Sequence, residues 1–363
     1  MSVVEGSAQE HARAQAQAHA QAVSVRTLDE GMRDAWDQFV LACPQATFFH
    51  LSAWTLTVQQ VLGHRAYCLY AVGADGSIRG VLPLAHVRSK LFGNSLVSVP
   101  FAVYGGVAAL DAEAAKALDM AARDLAKDLA VDWLELRNQD MPQDAEHVSD
   151  LYVTFRKAIA GDDEANLAAI PRKQRAMVRK GIKAGLQARI DDNVDDFYAM
   201  YSQSVRNLGT PVLPKRWYAA LAQAFGEHCD VLTVTHDGVP VSSVMSFYFR
   251  DEVLPFYGGG SAQARNLKAN DFMYYALMNH AWERGARVFD YGRSKNGAGS
   301  YSFKKNWGFE PEPLHYEYHL VRAQDPPALN PNNPKFKMAI AVWQRLPLPV
   351  TQRVGPLVAK YLA

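Results

Sequence analysis

Two stretches of the chain repeat the same order of apolar and polar positions. In each, alternating apolar segments flank an Asp-Gly pair, at Asp75-Gly76 and at Asp237-Gly238, and a helical segment and a further apolar run follow. Alternation predicts strands, Asp-Gly predicts a hairpin turn, and apolar residues three and four apart predict a helix. The predicted elements are strands 67–72, 80–87 and 133–137 with helix 112–129, then strands 231–234, 241–249 and 288–293 with helix 270–284.

The spacing within the two stretches also agrees. Pro100 lies 37 positions before Arg137, and Pro255 lies 38 positions before Arg293. Matched units of hairpin, strand, helix and strand indicate a diverged internal duplication, although a chance alignment of such common elements is the alternative. We therefore expect an α/β (α+β) fold of two tandem lobes, each with a mixed central sheet flanked by helices.

Composition shifts divide the chain into four parts. Residues 1–22 are rich in alanine, glutamine and histidine, with little to pack, so we expect a disordered tail. The N-terminal lobe then covers 23–160, and the C-terminal lobe covers 161–322. A proline-rich extension, 323–363, contains a short amphipathic run and basic residues beside apolar ones. It is expected to pack back on the body, with a peripheral membrane or partner contact as the alternative.

Composition limits the partners and the compartment. The 363 residues carry a formal charge of +1, which argues against a general nucleic-acid coat and against DNA binding, so any polyanion contact is a local patch. The three cysteines, Cys43, Cys68 and Cys229, are far apart, as in proteins of a reducing compartment. The sequence shows neither a membrane span nor a signal pattern. We expect a cytoplasmic protein, with peripheral association at the inner membrane as an option.

The most informative segment is 289–309, Phe-Asp-Tyr-Gly-Arg-Ser-Lys-Asn-Gly-Ala-Gly-Ser-Tyr-Ser-Phe-Lys-Lys-Asn-Trp-Gly-Phe. A strand-like run ends at Gly292-Arg293, and a glycine- and serine-rich turn leads to two adjacent lysines. Backbone N–H groups in such a turn, flanked by cations, predict an anion site. A hairpin with solvated lysines is the alternative reading. The residues assigned to binding here are Arg293, Ser294, Lys295, Gly297, Gly299, Tyr301 and Phe303.

A basic segment lies between the two predicted lobes. Arg172, Arg175, Arg179 and Lys183 follow i, i+3, i+7 and i+11 spacing, which makes one cationic stripe on a helix. Such a stripe suits a diphosphate or an RNA backbone, so we assign the three arginines to substrate binding. A solvated helix face explains the same pattern.

The order of Gly292-Arg293-Ser294, Phe303-Lys304 and Trp307-Gly308 resembles the FemAB family, in particular its branch associated with exosortase (PEP-CTERM) systems. Members of this family transfer an amino acid from aminoacyl-tRNA to an amine on a cell-wall precursor. The resemblance covers about 46–320. It implies two lobes of the N-acetyltransferase (GNAT) type, and a function as an acyl- or aminoacyltransferase acting on a cell-envelope or exopolysaccharide precursor.

The resemblance also assigns roles at the reacting centre. In the family, a lysine of a Phe-Lys motif on the second lobe serves this centre, and Lys304 occupies that place. Lys305 is the neighbouring candidate, because adjacent residues of a strand point to opposite faces. Asp290 could relay the amine proton, and a helix cap or an ion-pair partner explains it equally well. Tyr257 and Asp290 are expected at strand ends that border one cleft.

Two features of the sequence leave the identity of the acyl donor undetermined. The place where an acetyl-CoA-dependent enzyme grips pyrophosphate corresponds to 264–271, which has no glycine, so Leu267 and Ala269 would hinder close backbone approach. The chain also lacks the charged helical pair that some FemAB enzymes carry as a presumed tRNA arm. We expect no bound cofactor, and a donor that is aminoacyl-tRNA or an acyl thioester. The alternatives are an acyl-CoA- or acyl-carrier-dependent N-acyltransferase for an amino sugar, and a non-catalytic module that binds a glycan precursor or an exosortase-system partner.

A histidine pattern near the end of the second lobe is a candidate metal site. His315, Glu317 and His319 alternate along a predicted strand and share one face. No fourth ligand accompanies them, so we expect no metal.

Overall fold

The computed structural model describes residues 23–89, 92–141, 147–327 and 334–362, without the side chains of 334–337. The tail predicted over 1–22 lies outside the described residues. Strands from the first part of the chain are β1 Ser24–Thr27, β2 Arg65–Val72, β3 Ile78–Ser89, β4 Gly93–Ser98, β5 Ala108–Ala109, β6 Trp133–Asn138 and β7 Val148–Ser149. The remaining strands are β8 Tyr152–Ala158, β9 Gln187–Ile190, β10 Cys229–His236, β11 Val239–Phe249, β12 Glu252–Gly260, β13 Val288–Asp290, β14 Ser294–Lys295, β15 Pro311–Pro313 and β16 His315–Leu320.

The α-helices separate and cover these strands. In chain order they are α1 Arg33–Ala42, α2 Ser52–Thr57, α3 Ala112–Asp128, α4 Asp163–Ala169, α5 Arg172–Lys183, α6 Asp195–Leu208, α7 Lys215–Phe225, α8 Ala264–Leu267, α9 Ala269–Glu283, α10 Gly299–Asn306, α11 Pro334–Arg345 and α12 Leu348–Ala359. Helix α3 shows how the sequence sets a boundary, because Asp111 caps its N-terminus by accepting from the Ala114 N–H at 2.9 Å.

The strands form two eight-stranded mixed sheets. The first has the order β1-β2-β3-β4-β6-β16-β7, with β5 beside β3, and the second has the order β14-β8-β13-β12-β11-β10-β9, with β15 beside β8. Each contains one parallel pair, β4 with β6 and β12 with β13, and a helix connects the strands of each pair, α3 in the first and α9 in the second. The predicted duplication of hairpin, strand, helix and strand is therefore confirmed, and so is the two-lobed α/β fold.

The two sheets exchange a strand with each other. Strand β8 lies before the predicted boundary at residue 160, yet it pairs with β13 in the second sheet. Strand β16 lies before the predicted boundary at residue 322, yet it pairs with β6 in the first sheet. Sheet membership thus crosses both sequence-based boundaries, because antiparallel neighbours can come from distant parts of a chain while a β-α-β crossover stays local.

A gap opens in the second sheet where β12 leaves β13. Their pairing is confined to Glu252 with Val288 and Val253 with Phe289. On its other edge, β12 pairs Tyr257 with Met245 but Pro255 with Ser246, so Phe256 is the extra residue of a β-bulge. A bulge bends a strand and increases its twist. The bend directs the second half of β12 away from β13 and creates space between the strand ends.

One hydrophobic core spans both halves of the chain. Phe48 from the first half stacks on Phe247 with a ring-centroid distance of 4.7 Å, and it also contacts Phe225 at 4.5 Å. Trp54 and Trp217 meet edge to face at 5.7 Å, and both are fully buried. Aromatic pairs of this kind bury large apolar areas, so the two halves are joined by packing as well as by strand exchange.

The C-terminal helices pack against α6. Arg206 and Asn207, at the end of α6, bond to residues of the 344–346 segment, and Gln352 donates to Ser202 Oγ at 2.8 Å. Gly355 in α12 lies against the Val212 backbone, where an added Cβ would come within 3.0 Å of its carbonyl oxygen. Among the helices of the described ranges, none has the length and apolar character needed to cross a bilayer.

Candidate functional site

A cavity of about 500 Å³ lies where β12 and β13 separate. Its walls come from β12, the 290–293 segment and α10, from α6 and the loop after it, and from 101–104 of the first half. Thr210 and Pro211, in the turn after α6, form part of the wall. The polar groups that line it include Tyr104, Asp290, Arg293, Ser300 and Lys304.

Asp290 ends strand β13 at the cavity wall. The Gly292 N–H donates to its Oδ1 at 2.8 Å, and the Tyr104 hydroxyl donates to its Oδ2 at 3.0 Å. Arg156 Nε lies 3.7 Å from Oδ2 and also pairs with Glu252. Burial raises the pKa of Asp290, although Arg156, the Gly292 N–H and Tyr104 act to lower it. The predicted strand 288–293 thus ends three residues early, at this carboxylate.

Lys304 approaches the same place from helix α10. Its Nζ donates to the Gly292 carbonyl oxygen at 2.7 Å and to the Arg293 carbonyl oxygen at 3.0 Å, and the residue is 8% exposed. Burial lowers the pKa of Lys304 to about 7, while the Asp290 carboxylate opposes the shift and Arg293 adds to it. The ammonium also lies 5.5 Å from the ring centroids of Phe155 and Tyr291.

The expectation that Lys304 and Lys305 occupy a strand is wrong, because both lie on α10. On a helix, consecutive side chains point about 100° apart, so one lysine can be buried while the next is exposed. Lys305 is exposed and lies outside the cavity wall. The structure therefore places one of the two candidate lysines at the cavity.

Arg293 connects the cavity to the first sheet. Its guanidinium stacks 4.4 Å from the Tyr152 ring centroid, and Nη1 donates to the Tyr316 hydroxyl at 3.0 Å. The Tyr316 hydroxyl in turn donates to the Val103 carbonyl oxygen at 2.5 Å. The arginine that was predicted to bind an anion thus lies at the cavity wall with its side chain held by two tyrosines.

The glycine-rich turn orients α10. Ser294 and Lys295 form β14 against β8, and Gly297 takes a left-handed conformation with φ +73° before Gly299 begins the helix. Ser300, Phe303 and Lys304 then line the cavity. The other residues of this segment that were assigned to binding, Ser294, Lys295, Gly297, Gly299 and Tyr301, lie outside its wall. Tyr301 instead packs on Phe155 at 5.4 Å.

Much of the remaining wall is aromatic. Tyr257, predicted at this cleft, accepts a hydrogen bond from Trp217 Nε1 at 3.1 Å. The sequence reasoning missed Tyr104, Tyr201 and Tyr274. For Tyr104 a signal was present, because Tyr104-Gly105-Gly106 in the first unit corresponds to Tyr257-Gly258-Gly259 in the second. Tyr201 and Tyr274 lie on helices and carry no comparable signal.

The basic stripe lies away from the cavity. Helix α5 packs against α9, and among the described residues of the cavity wall none comes from α5. Arg172, Arg179 and Lys183 are exposed. Arg175 instead donates to the Ala168 carbonyl oxygen at 2.7 Å and to the Ile170 carbonyl oxygen at 3.0 Å, at the end of α4. The guanidinium satisfies backbone groups that the helix end leaves without partners, so Arg175 has a structural role here, and its assignment to substrate binding stays a prediction.

The histidine strand forms an ion-pair network. Glu317 accepts from Arg123 Nη2 at 3.0 Å and from Asn138 Nδ2 at 3.2 Å, and Arg123 Nη1 lies 3.2 Å from His319 Nδ1. Within the described ranges, no group of three or more His, Cys, Asp or Glu side chains is arranged to hold a metal ion.

Comparison with known proteins by sequence gives two matches, each to part of the chain. Residues 172–305 match the family described as acetyltransferase (GNAT) domain. The lipid II:glycine glycyltransferase of Staphylococcus saprophyticus subsp. saprophyticus is 32% identical over 85 residues, which are 21% of this chain and 20% of that protein. The chain therefore matches about a fifth of the length of this curated relative.

Two solved structures share the fold over most of the chain. The crystal structure of FemX has a TM-score of 0.64 at 16% identity and covers 82% of this chain and 98% of its own. A tandem GNAT protein from the clavulanic acid biosynthesis pathway has a TM-score of 0.52 at 15% identity and covers 84% of this chain and 100% of its own. The chain therefore has a tandem GNAT fold, and its residues 172–305 are the part that matches the acetyltransferase (GNAT) domain family.

Proposed function

We propose that the cavity is the active site of a FemAB-like acyl- or aminoacyltransferase that forms an amide bond on an amine of a cell-envelope precursor. The similarity to a lipid II:glycine glycyltransferase and the shared fold with FemX support this reaction class. The observation that carries the proposal is the buried Lys304 ammonium, held beside the Asp290 carboxylate at the wall of an aromatic cavity.

The proposed reaction is a direct transfer of an acyl group from an ester to an amine. The amine nitrogen of the acceptor attacks the carbonyl carbon of an activated ester, a C–N bond forms, and the C–O bond to the leaving alcohol breaks. The proton lost by the amine is balanced by the proton that the leaving oxygen gains. Negative charge develops on the carbonyl oxygen in between, so a fixed cation in a dry site lowers the barrier.

Lys304 suits the role of oxyanion donor. An ammonium has three donors, and the hydrogen bonds to the Gly292 and Arg293 carbonyl oxygens use two of them. The third is available to a substrate oxygen in the cavity. The two backbone bonds hold Nζ in place, so little reorganisation is needed when charge develops.

Asp290 is proposed to accept the amine proton. Its raised pKa makes it a stronger base than an exposed carboxylate, and the Tyr104 hydroxyl, which donates to it, also lines the cavity. Arg156, which pairs with Glu252 and lies 3.7 Å from Asp290 Oδ2, places a positive charge beside this carboxylate. The Arg293 guanidinium and the tyrosines of the wall would bind a carboxylate or phosphate and the flat faces of a sugar or peptide on the acceptor.

For the donor we propose an aminoacyl ester such as aminoacyl-tRNA, with the exposed Arg172 and Arg179 of α5 contacting its backbone. An acyl-CoA donor is the second candidate, since residues 172–305 match an acetyltransferase domain. The N-terminus of α9, where such a domain would receive pyrophosphate, carries buried Asp271, which accepts from Gln174 and Trp307. A carboxylate at this helix end disfavours a further anion, which favours the aminoacyl donor.

We also propose that the protein belongs to the exosortase-associated branch of the FemAB family. Its acceptor would then be an exopolysaccharide precursor, and it would act in the cytoplasm. This assignment is supported by the order of Gly292-Arg293-Ser294, Phe303-Lys304 and Trp307-Gly308. No cofactor is needed for the reaction as written. A non-catalytic binding module is the opposing hypothesis.

The test is transfer from a labelled aminoacyl-tRNA pool to an amine-bearing, lipid II-type precursor, with acetyl-CoA as competitor. Transfer that acetyl-CoA leaves unchanged, and that Lys304→Met abolishes while Lys305→Met retains it, supports the proposal. Transfer from acetyl-CoA instead, with none from tRNA, would establish the second candidate. Saturable binding of the precursor without transfer from either donor would favour the non-catalytic module.

A further inference from the structure

Helix α12 carries an exposed apolar face beside the cavity. Val350, Val354 and Leu357 follow i, i+4 and i+7 spacing, so they share one side of the helix, and Leu357 is 65% exposed. The buried residues Thr351, Gly355 and Ala359 occupy a different side and face the body of the protein. We name Val350, Val354 and Leu357 the α12 face.

The C-terminal end of this segment reaches the cavity. Ala359 and Leu362, at the end of this segment, line the cavity, and so does Leu208 of α6. Leu362 is 43% exposed and Leu208 is 71% exposed, so these two leucines belong to both the cavity rim and the outer surface. The cavity rim therefore carries exposed apolar residues close to the end of α12.

The neighbouring helix also exposes apolar residues. Met338 and Val342 of α11 are exposed at i and i+4, whereas Ile340 packs against Gly209 on the opposite side of that helix. Helices α11 and α12 are both seated on α6. Exposed apolar residues that cluster on two helices are more than the scattered surface residues normal for a globular protein.

The charge of this segment favours one kind of partner. Residues 334–362 contain five basic residues, Lys335, Lys337, Arg345, Arg353 and Lys360, and no Asp or Glu, although the whole chain balances 38 basic against 37 acidic residues. Arg353 and Lys360, seven positions apart, lie along one edge of the α12 face. An apolar face with a basic edge and no acid is the pattern that binds an anionic bilayer surface.

From these observations we infer that α11 and α12 dock the protein onto anionic phospholipid bilayers, with the α12 face in the headgroup region. The inference concerns where the protein works and goes beyond the proposed reaction. Its link to that reaction is one of location, because docking would hold the protein at the surface in which an acceptor with a lipid tail resides.

The experiment is co-sedimentation of the full chain with vesicles of phosphatidylcholine alone or mixed with phosphatidylglycerol. We expect binding to the mixed vesicles that weakens with added salt. Val354→Glu/Leu357→Glu should lower the partition coefficient at least about 10-fold, and Arg353→Gln/Lys360→Gln about 3- to 10-fold. The matched control is Leu110→Glu/Met120→Glu, which adds the same charge at exposed apolar positions of the first half and should bind within about 2-fold of the wild type.

Several outcomes would overturn the inference. These are no binding of the wild type at low salt, equal binding to both vesicle compositions, unchanged binding of Val354→Glu/Leu357→Glu, or equal loss in the control. Circular dichroism and the melting temperature of each variant exclude unfolding as the cause of a loss. Lys304→Met should bind vesicles like the wild type, so failure of the transfer reaction and failure of membrane docking are told apart.

Discussion

Asp290 and Lys304 are joined through a single residue, Gly292. The Gly292 N–H donates to Asp290 Oδ1 at 2.8 Å, and the Gly292 carbonyl oxygen accepts from Lys304 Nζ at 2.7 Å. Gly292 adopts a positive φ of +66°, which favours glycine. The backbone turn after β13 therefore sets the positions of both charged groups, and the cavity receives a carboxylate and an ammonium in a fixed relation.

Replacing Lys304 should separate catalysis from folding. We expect Lys304→Met to lower the rate of transfer at least about 100-fold, because one fixed donor to the developing oxyanion is lost. Lys305→Met is the matched control, since it removes the same charge from the exposed neighbour on the same helix. Rates are compared at saturating donor, with circular dichroism to show that both variants fold. Full activity of Lys304→Met would disprove the assignment.

The lowered pKa of Lys304 predicts a pH dependence of stability. Between its folded pKa of about 7 and the usual value near 10.4, the unfolded chain binds a proton that the folded protein does not. The free energy of unfolding of the wild type should thus rise with pH in this window, by up to about 1.4 kcal/mol per pH unit, relative to Lys304→Met.

Urea unfolding of both proteins at several pH values from 7 to 9 measures this difference. The free energy of unfolding of Lys304→Met minus that of the wild type should fall as the pH rises. A difference that does not change with pH would show that the ammonium is not desolvated in the folded protein.

Asp290→Asn tests the proton acceptor. The amide keeps the shape of the carboxylate but is not a base, so we expect a loss of transfer of about 100-fold or more. Tyr104→Phe removes the hydroxyl that donates to the carboxylate, and it should slow transfer by a smaller factor. The affinities of both variants for the acyl donor and for the amine acceptor, measured separately, should change little. If Asp290→Asn weakens binding and leaves the maximal rate unchanged, the carboxylate serves binding instead.

Arg175 should affect stability more than ligand binding. Arg175→Gln removes hydrogen bonds to the Ala168 and Ile170 carbonyl oxygens, and we expect the free energy of unfolding to fall by about 1–3 kcal/mol. Arg179→Gln, on the exposed part of the same helix, should stay within about 0.5 kcal/mol of the wild type. Denaturant titration distinguishes them, and equal stability of the two variants would contradict the capping role. A test of tRNA binding should therefore neutralise Arg172 and Arg179.

The sequence alone predicted the elements that arise from local patterns. The repeated order of hairpin, strand, helix and strand follows from alternation, turn residues and helical spacing, all of which act within a few residues. The same patterns placed Lys304 and Asp290 near each other, because both belong to one short segment. The helical spacing of the basic residues in 172–183 likewise agrees with the observed α5.

Other features depend on contacts between distant residues. Strands β8 and β16 each join the sheet of the other half, and Tyr104 reaches Asp290 from 186 positions away. Lys304 and Lys305 have the same chemistry, and only packing of α10 against the cavity wall buries one and exposes the other. The chain by itself therefore determined which groups and local elements exist. The tertiary structure decided which of them meet, because burial and long-range pairing depend on how whole elements pack.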